Sequence, residues 1–121
     1  MFQVDSIVLY VEDLAVSKKF YADLFERRPQ EPSPTFLSLE LDTGLKLELK
    51  VRAKSEPPAT MTGGGTEVCF KVPDEKALNG LFEQWKAKGA RFAQPPTRLV
   101  FGMTFVAMDP DGHRLRVFVQ S

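Results

Sequence analysis

The chain has one cysteine, Cys69, and one histidine, His113, in 121 residues. A single thiol excludes an internal disulfide and any cysteine-rich metal motif, and it suits a reducing compartment. Its neighbours Val68 and Phe70 read as strand packing around the thiol. An excess of either charge is also missing: 16 Lys and Arg balance 16 Asp and Glu, for a formal net charge of zero. No broad field therefore favours nucleic acid or an anionic membrane surface. No apolar run approaches the roughly 20 residues that span a bilayer. The N-terminus shows no basic stretch followed by an apolar block and a small-residue cleavage site, so no secretion signal is read. The expectation is a cytoplasmic protein with neither nucleic acid nor membrane as a partner.

What is abundant is core-forming material, with 43% hydrophobic residues and ten phenylalanines. This length suffices for one compact domain and falls short of two ordinary ones. SIVLYV at 6 to 11 is a β-branched and aromatic run of strand length. In EDLAVSKKFYADLFER, Val16, Phe20, Leu24, Tyr21 and Phe25 recur at helical spacing behind Asp13, a plausible N-cap. The three prolines of RRPQEPSP cannot continue that helix. TFLSLEL and LKLELKV alternate on either side of DTG and predict a hairpin, with a short extra strand expected around the prolines.

Residues 53 to 65, AKSEPPATMTGGG, read as the one clear linker. The pattern then starts over. TEVCFKV is a strand, and DEKALNGLFEQWKAKG is a helix with Asp74 as N-cap, a stripe of Ala77, Leu78, Leu81, Phe82 and Trp85, and Gly89 at its end. QPPTRLVFG reads as a proline-bearing loop, and MTFVAMDPDGHRLRVFV as a second hairpin. Superposing the two halves aligns Asp13 with Asp74 and LELDTGLKLEL with VAMDPDGHRLRV. The expected fold is α+β: tandem βαβββ units in one domain spanning 1–121, with unit one at 1–52, the linker at 53–65 and unit two at 66–121. Each unit covers one face of its sheet with its own helix, so the two sheets are expected to form curved mixed sheets around a trough.

Strand alternation sorts the faces. Ile7, Leu9, Val11, Leu37, Leu39, Leu41, Leu45, Leu47, Leu49, Val68, Phe70, Val72, Leu115, Val117 and Val119 are assigned to the cores under the helices. The opposite faces then carry Ser6, Val8 and Tyr10; Phe36, Ser38 and Glu40; Lys46, Glu48 and Lys50; Glu67, Cys69 and Lys71; Met103, Phe105 and Ala107; and Arg114, Arg116 and Phe118. Aromatic rings alternating with charges make an apolar wall with a few polar groups, which is what a small-molecule site needs.

These paired units, IVLYVEDLAVSKKFYADLF opening the first and DPDGHRLRV closing the second, resemble the vicinal oxygen chelate superfamily. That superfamily includes glyoxalase I, extradiol dioxygenases, fosfomycin-resistance enzymes and bleomycin-binding proteins. The resemblance covers essentially the whole chain. Within it, LVFGMTFVAMDPDGHRLRV looks most like the phenazine-antibiotic-binding resistance proteins. In the metalloenzymes of the superfamily two histidines and two glutamates hold a metal. Carried onto this chain, those positions fall on Ser6, Glu48, Glu67 and Arg116. Only Glu48 keeps its kind, and a guanidinium has no lone pair to offer a cation. The usual metal centre is expected to be absent, with Arg116 neutralising acidic neighbours or meeting a ligand anion.

The expected site is therefore Tyr10, Phe36, Glu48, Glu67, Phe101, Met103, Phe105, Arg116 and Phe118, with no cofactor and no catalytic residue. Its aromatic members would stack on a planar aromatic ligand, and Phe101, beside Gly102, would be a lid. The competing role for these rings is packing between sheets. A different class of function remains open, a lyase, isomerase or dioxygenase with a divalent metal on Glu48 and Glu67. His113 reads as a turn residue rather than a general base, GGG as linker rather than phosphate loop, and Lys46, Lys50 and Arg114 as solvated. A homodimer is what the resemblance implies.

Overall fold

The structure is a computed structural model that describes residues 2–42 and 44–119. The chain divides into two compact units, Met1–Gly63 and Gly64–Ser121. Each has the order expected of a βαβββ unit. In unit one the elements are β1 (Ser6–Val11), α1 (Leu14–Phe25), β2 (Gln30–Ser33), β3 (Phe36–Glu40) and β4 (Lys46–Val51). In unit two they are β5 (Glu67–Lys71), α2 (Glu75–Ala87), β6 (Arg91–Leu99), β7 (Gly102–Met108) and β8 (Arg114–Phe118). Among the described residues no helix is long and apolar enough to cross a membrane.

Both helices start where a carboxylate can satisfy an orphan amide. Asp13 accepts from the Val16 amide at 3.2 Å, and Asp74 accepts from the Ala77 amide at 2.8 Å. Helix α1 ends at Glu26, whose φ of 53° is left-handed, and α2 ends ahead of Gly89 at φ 88°. Helix α1 buries Ser17, Tyr21 and Leu24. Val16 was expected on that stripe and is instead exposed. The helical period is satisfied by Tyr21 and Leu24 without it.

Each sheet is mixed, with its first and last strands paired in parallel. The order is β1-β4-β3-β2 in unit one and β5-β8-β7-β6 in unit two. In unit one Leu9, Leu37, Leu39, Leu47 and Leu49 are buried, as the alternation predicts. The β3–β4 turn is closed by the Leu41 amide on Leu45 O at 2.9 Å and the Gly44 amide on Leu41 O at 3.0 Å. Thr43, in the DTG turn, lies outside the described residues. The 53–65 segment is less separate than a linker: Arg52–Lys54 forms a short 3-10 turn and Ser55 is buried within unit one.

Unit two brings two corrections. The proline-bearing stretch 94–99 belongs to a nine-residue strand, β6, rather than a loop. It is an edge strand with register shifts between Phe92, Gln94 and Thr97, so the missing amides of Pro95 and Pro96 leave no ladder bond unmade. The second correction concerns β7. Phe105 pairs with Val117 and Ala107 with Leu115, and directly opposed residues share a face. Phe105 is fully buried, with its ring 5.6 Å from Phe82, 5.5 Å from Trp85 and 5.8 Å from Phe92. It belongs to the core beneath α2, and Met103, two residues away, shares its side. The residues of β7 on the other face are Thr104 and Val106, paired with Phe118 and Arg116.

The β7–β8 turn is set by a buried carboxylate. Asp109 Oδ1 accepts from the Asp111 amide at 2.9 Å and the His113 amide at 2.8 Å, and Gly112 takes φ 83°. His113 is buried in this turn, consistent with a structural place for the only imidazole.

Candidate ligand-binding site

The helix-free face of unit two is organised by Arg116. It lies near the middle of β8, beside Cys69 of β5 and Val106 of β7. Its Nε and Nη2 donate to the two carboxylate oxygens of Glu67, each at 3.0 Å, in a bidentate fork. Its Nη1 donates to Thr104 Oγ1 at 3.1 Å, and that hydroxyl donates in turn to Val117 O at 2.8 Å. Every guanidinium nitrogen thus has a partner. Above it the Phe101 ring lies with its centroid 5.7 Å from the guanidinium carbon, a cation–π distance. Phe101 also meets Phe118 edge-on at 6.3 Å.

The electrostatics follow from the fork. Hydrogen bonding to Arg116 holds the Glu67 carboxyl below the usual carboxylate range, overcoming the opposing effect of burial, and raises Arg116 above its ordinary value. Cys69 is exposed on this face rather than packed inside, because β5 turns Val68 toward the core instead. Burial of its sulfur and the Glu67 charge push the thiol up, and Arg116 opposes them. That combination disfavours a reactive thiolate.

Phe101 forms, with Val100, the two-residue turn between β6 and β7, whose flanking residues Leu99 and Gly102 are paired. Of the expected site residues in unit two, the fold gathers Glu67, Arg116, Phe101 and Phe118. It removes Met103 and Phe105, for the reason given by the β7 pairing. Thr104 was missed. As the one polar residue of MTFVAM, it is the signal that could have revealed which side of β7 faces away from the core.

Unit one presents Tyr10, Phe36 and Glu48 on its own helix-free face. Glu48 lies at the middle of β4, beside Val8 on β1 and Ser38 on β3. Lys46 and Lys50 flank it on an interior strand, not a sheet edge. Lys50 Nζ lies 5.9 Å from the Phe36 ring centroid, and Lys46 Nζ is 3.4 Å from Asp5. Tyr10 is half-buried, its hydroxyl 3.5 Å from Ser55 Oγ, which donates to Pro57 O at 2.9 Å. Phe36, Ser38, Lys46 and Glu48 line an open pocket of about 470 Å³ with Gln30, Glu31 and Pro32.

The donor set does not fit the divalent metal of the superfamily's enzymes. Ser6 offers a hydroxyl, Arg116 offers a cation, and both oxygens of Glu67 are committed to that cation. Among the described residues no three of His, Cys, Asp and Glu gather as a metal site would require.

The comparison with known proteins decides the family. The family model described as Glyoxalase/Bleomycin resistance protein/Dioxygenase superfamily matches residues 3–117. The chain belongs to that superfamily. A curated relative of this glyoxalase-superfamily chain, the phenazine antibiotic resistance protein EhpR of Enterobacter agglomerans, is 27% identical over 113 residues. The match covers 91% of this chain and 86% of EhpR. Among solved structures, protein ATC0852 from Agrobacterium tumefaciens is 42% identical with a TM-score of 0.89, covering 100% of this chain and 99% of its own. A glyoxalase-related enzyme from Fulvimarina pelagi shares the fold at 23% identity and a TM-score of 0.85, over 99% of this chain and 89% of its own.

Proposed function

We propose that this superfamily member is a metal-free small-molecule binding protein that sequesters a planar aromatic, antibiotic-like compound. The observation that carries this reading is the Arg116–Glu67–Thr104 cluster. Two of the four positions where relatives would hold a metal are instead joined in a neutral, hydrogen-bonded pair. Such a pair supplies fixed polarity without Lewis acidity. The ring of Phe101 already lies over that guanidinium, and the same kind of stacking would suit a planar ligand. The likeness to EhpR, a phenazine antibiotic resistance protein, supports the same ligand class. A lyase, isomerase or dioxygenase with its metal on Glu48 and Glu67 would first require Glu67 to release Arg116.

Calorimetric titration with phenazine-1-carboxylate tests the proposal, together with metal analysis of untagged protein. Saturable binding by metal-free protein is the expected result. Stoichiometric nickel, iron, zinc or manganese, or the absence of any binding heat, would overturn it. The proposal extends to a cytoplasmic homodimer, which sedimentation would contradict by showing a strict monomer.

A further inference from the structure

The guanidinium of Arg116 is already neutralised, which leaves open what would meet the anionic group of an aromatic acid. Unit one supplies an answer. Next to the pocket over Phe36 lies a second one of about 320 Å³, lined by Arg27, Arg28, Gln30, Ser38, Glu40 and Lys46. The two pockets share Gln30, Ser38 and Lys46 and so adjoin on one sheet face. Each falls within the ~300–1,000 Å³ typical of small-molecule sites.

The charges along this groove are uneven. At its aromatic end Glu48 is an acceptor, and Glu31 is paired with Lys18 at 2.6 Å. At the other end Arg27 is committed to Asp42 and to Glu40 O. Lys46 faces Glu40 across the strands and approaches Asp5 only at 3.4 Å. Arg28 has no ion-pair or hydrogen-bond partner among the described residues. The basic end therefore keeps an unspent guanidinium, while the Phe36 end offers a ring face and a carboxylate that would repel an acid.

We propose that this groove is an anion-selective subsite for planar aromatic carboxylates, with the ring over Phe36 and the carboxylate on Arg28, supported by Lys46. This rests on the sequestration reading above and narrows its ligand class to acids. The guanidinium fork suits a carboxylate bidentately, and the lysine adds a point charge.

The test compares phenazine-1-carboxylate with uncharged phenazine by calorimetry at low and high salt, in the unaltered protein, in Arg28→Gln and Lys46→Gln, and in Arg98→Gln as a distant control. The expected result is about tenfold tighter binding of the carboxylate, a preference that shrinks with salt. Arg28→Gln should abolish that preference and Lys46→Gln should reduce it, whereas Arg98→Gln should leave it as in the unaltered protein. Equal affinity for the two compounds, or a preference that survives Arg28→Gln, overturns the anion subsite while sequestration stands. Failure of both compounds to bind the unaltered protein overturns sequestration and the subsite together.

Discussion

The two units share one topology and differ in what they place at its centre. The middle of β4 carries Glu48 beside Val8, and the equivalent place on β8 carries Arg116 beside Cys69. In unit two the charge is met at once by Glu67 and Thr104 and roofed by Phe101. Among the described residues Glu48 has no such fork, and Lys46 and Lys50 flank it on its strand instead. The same backbone thus yields one internally paired polar cluster and one open groove. Side-chain identity at a few outward positions decides which, since the buried strand residues beneath both helices, such as Leu47 and Leu49 in unit one and Leu115 and Val117 in unit two, are apolar.

The largest expected effect is on the cores. Phe105→Ala should cost about 3–5 kcal/mol by removing a ring packed on three others, and Leu47→Ala in unit one about 2–5 kcal/mol, both read by denaturant unfolding. If Phe118→Ala matched Phe105→Ala, the assignment of faces on β7 and β8 would be wrong.

Next is the Arg116–Glu67 pair. Arg116 and Glu67 side chains are 17% and 32% exposed, between the buried and surface regimes. Arg116→Gln should therefore cost about 1–2 kcal/mol, and adding Glu67→Gln should recover part of it, because the stranded carboxylate is what hurts. In unit one Glu48→Gln should change stability by less than about 0.5 kcal/mol.

A smaller effect appears on acidification. Glu67 is held below its ordinary value, so its contribution is complete above the unfolded carboxyl pKa of about 4.3 and fades as pH falls through the lower folded value. Unfolding curves of Glu67→Gln should accordingly lose less stability than the unaltered protein from about pH 5 downward. Equal slopes would mean that the fork does not persist in solution. The smallest effect concerns Cys69, whose raised thiol should react slowly with iodoacetamide at pH 7 although exposed, and more slowly still in Arg116→Gln.

Much of this architecture was legible from alternation. β3, β4, β5 and β8 largely alternate apolar with polar residues, so their inner faces could be named from period two. β7 could not be sorted that way: MTFVAM is apolar on both sides apart from Thr104, and Thr104, Phe105, Val106 and Ala107 are all buried. β6 was hidden by its prolines, which signal a loop unless the strand lies at an edge. Glu67 and Arg116 were identifiable as neighbours only through the superfamily's metal positions carried onto this chain. The Phe101 contact depends on a tight turn that no periodicity encodes, and Arg28 entered the groove only through the fold of the segment after α1.

The buried Asp109 turn reaches further than its own hairpin. By pinning the entry of β8, it fixes which way residue 116 is aimed, since a slip of one place would send that side chain into the interior. Orientation is thus settled seven residues upstream, independently of what is being oriented. The scaffold behaves as a socket: the direction of the plug is built in, and its chemistry is left to be chosen.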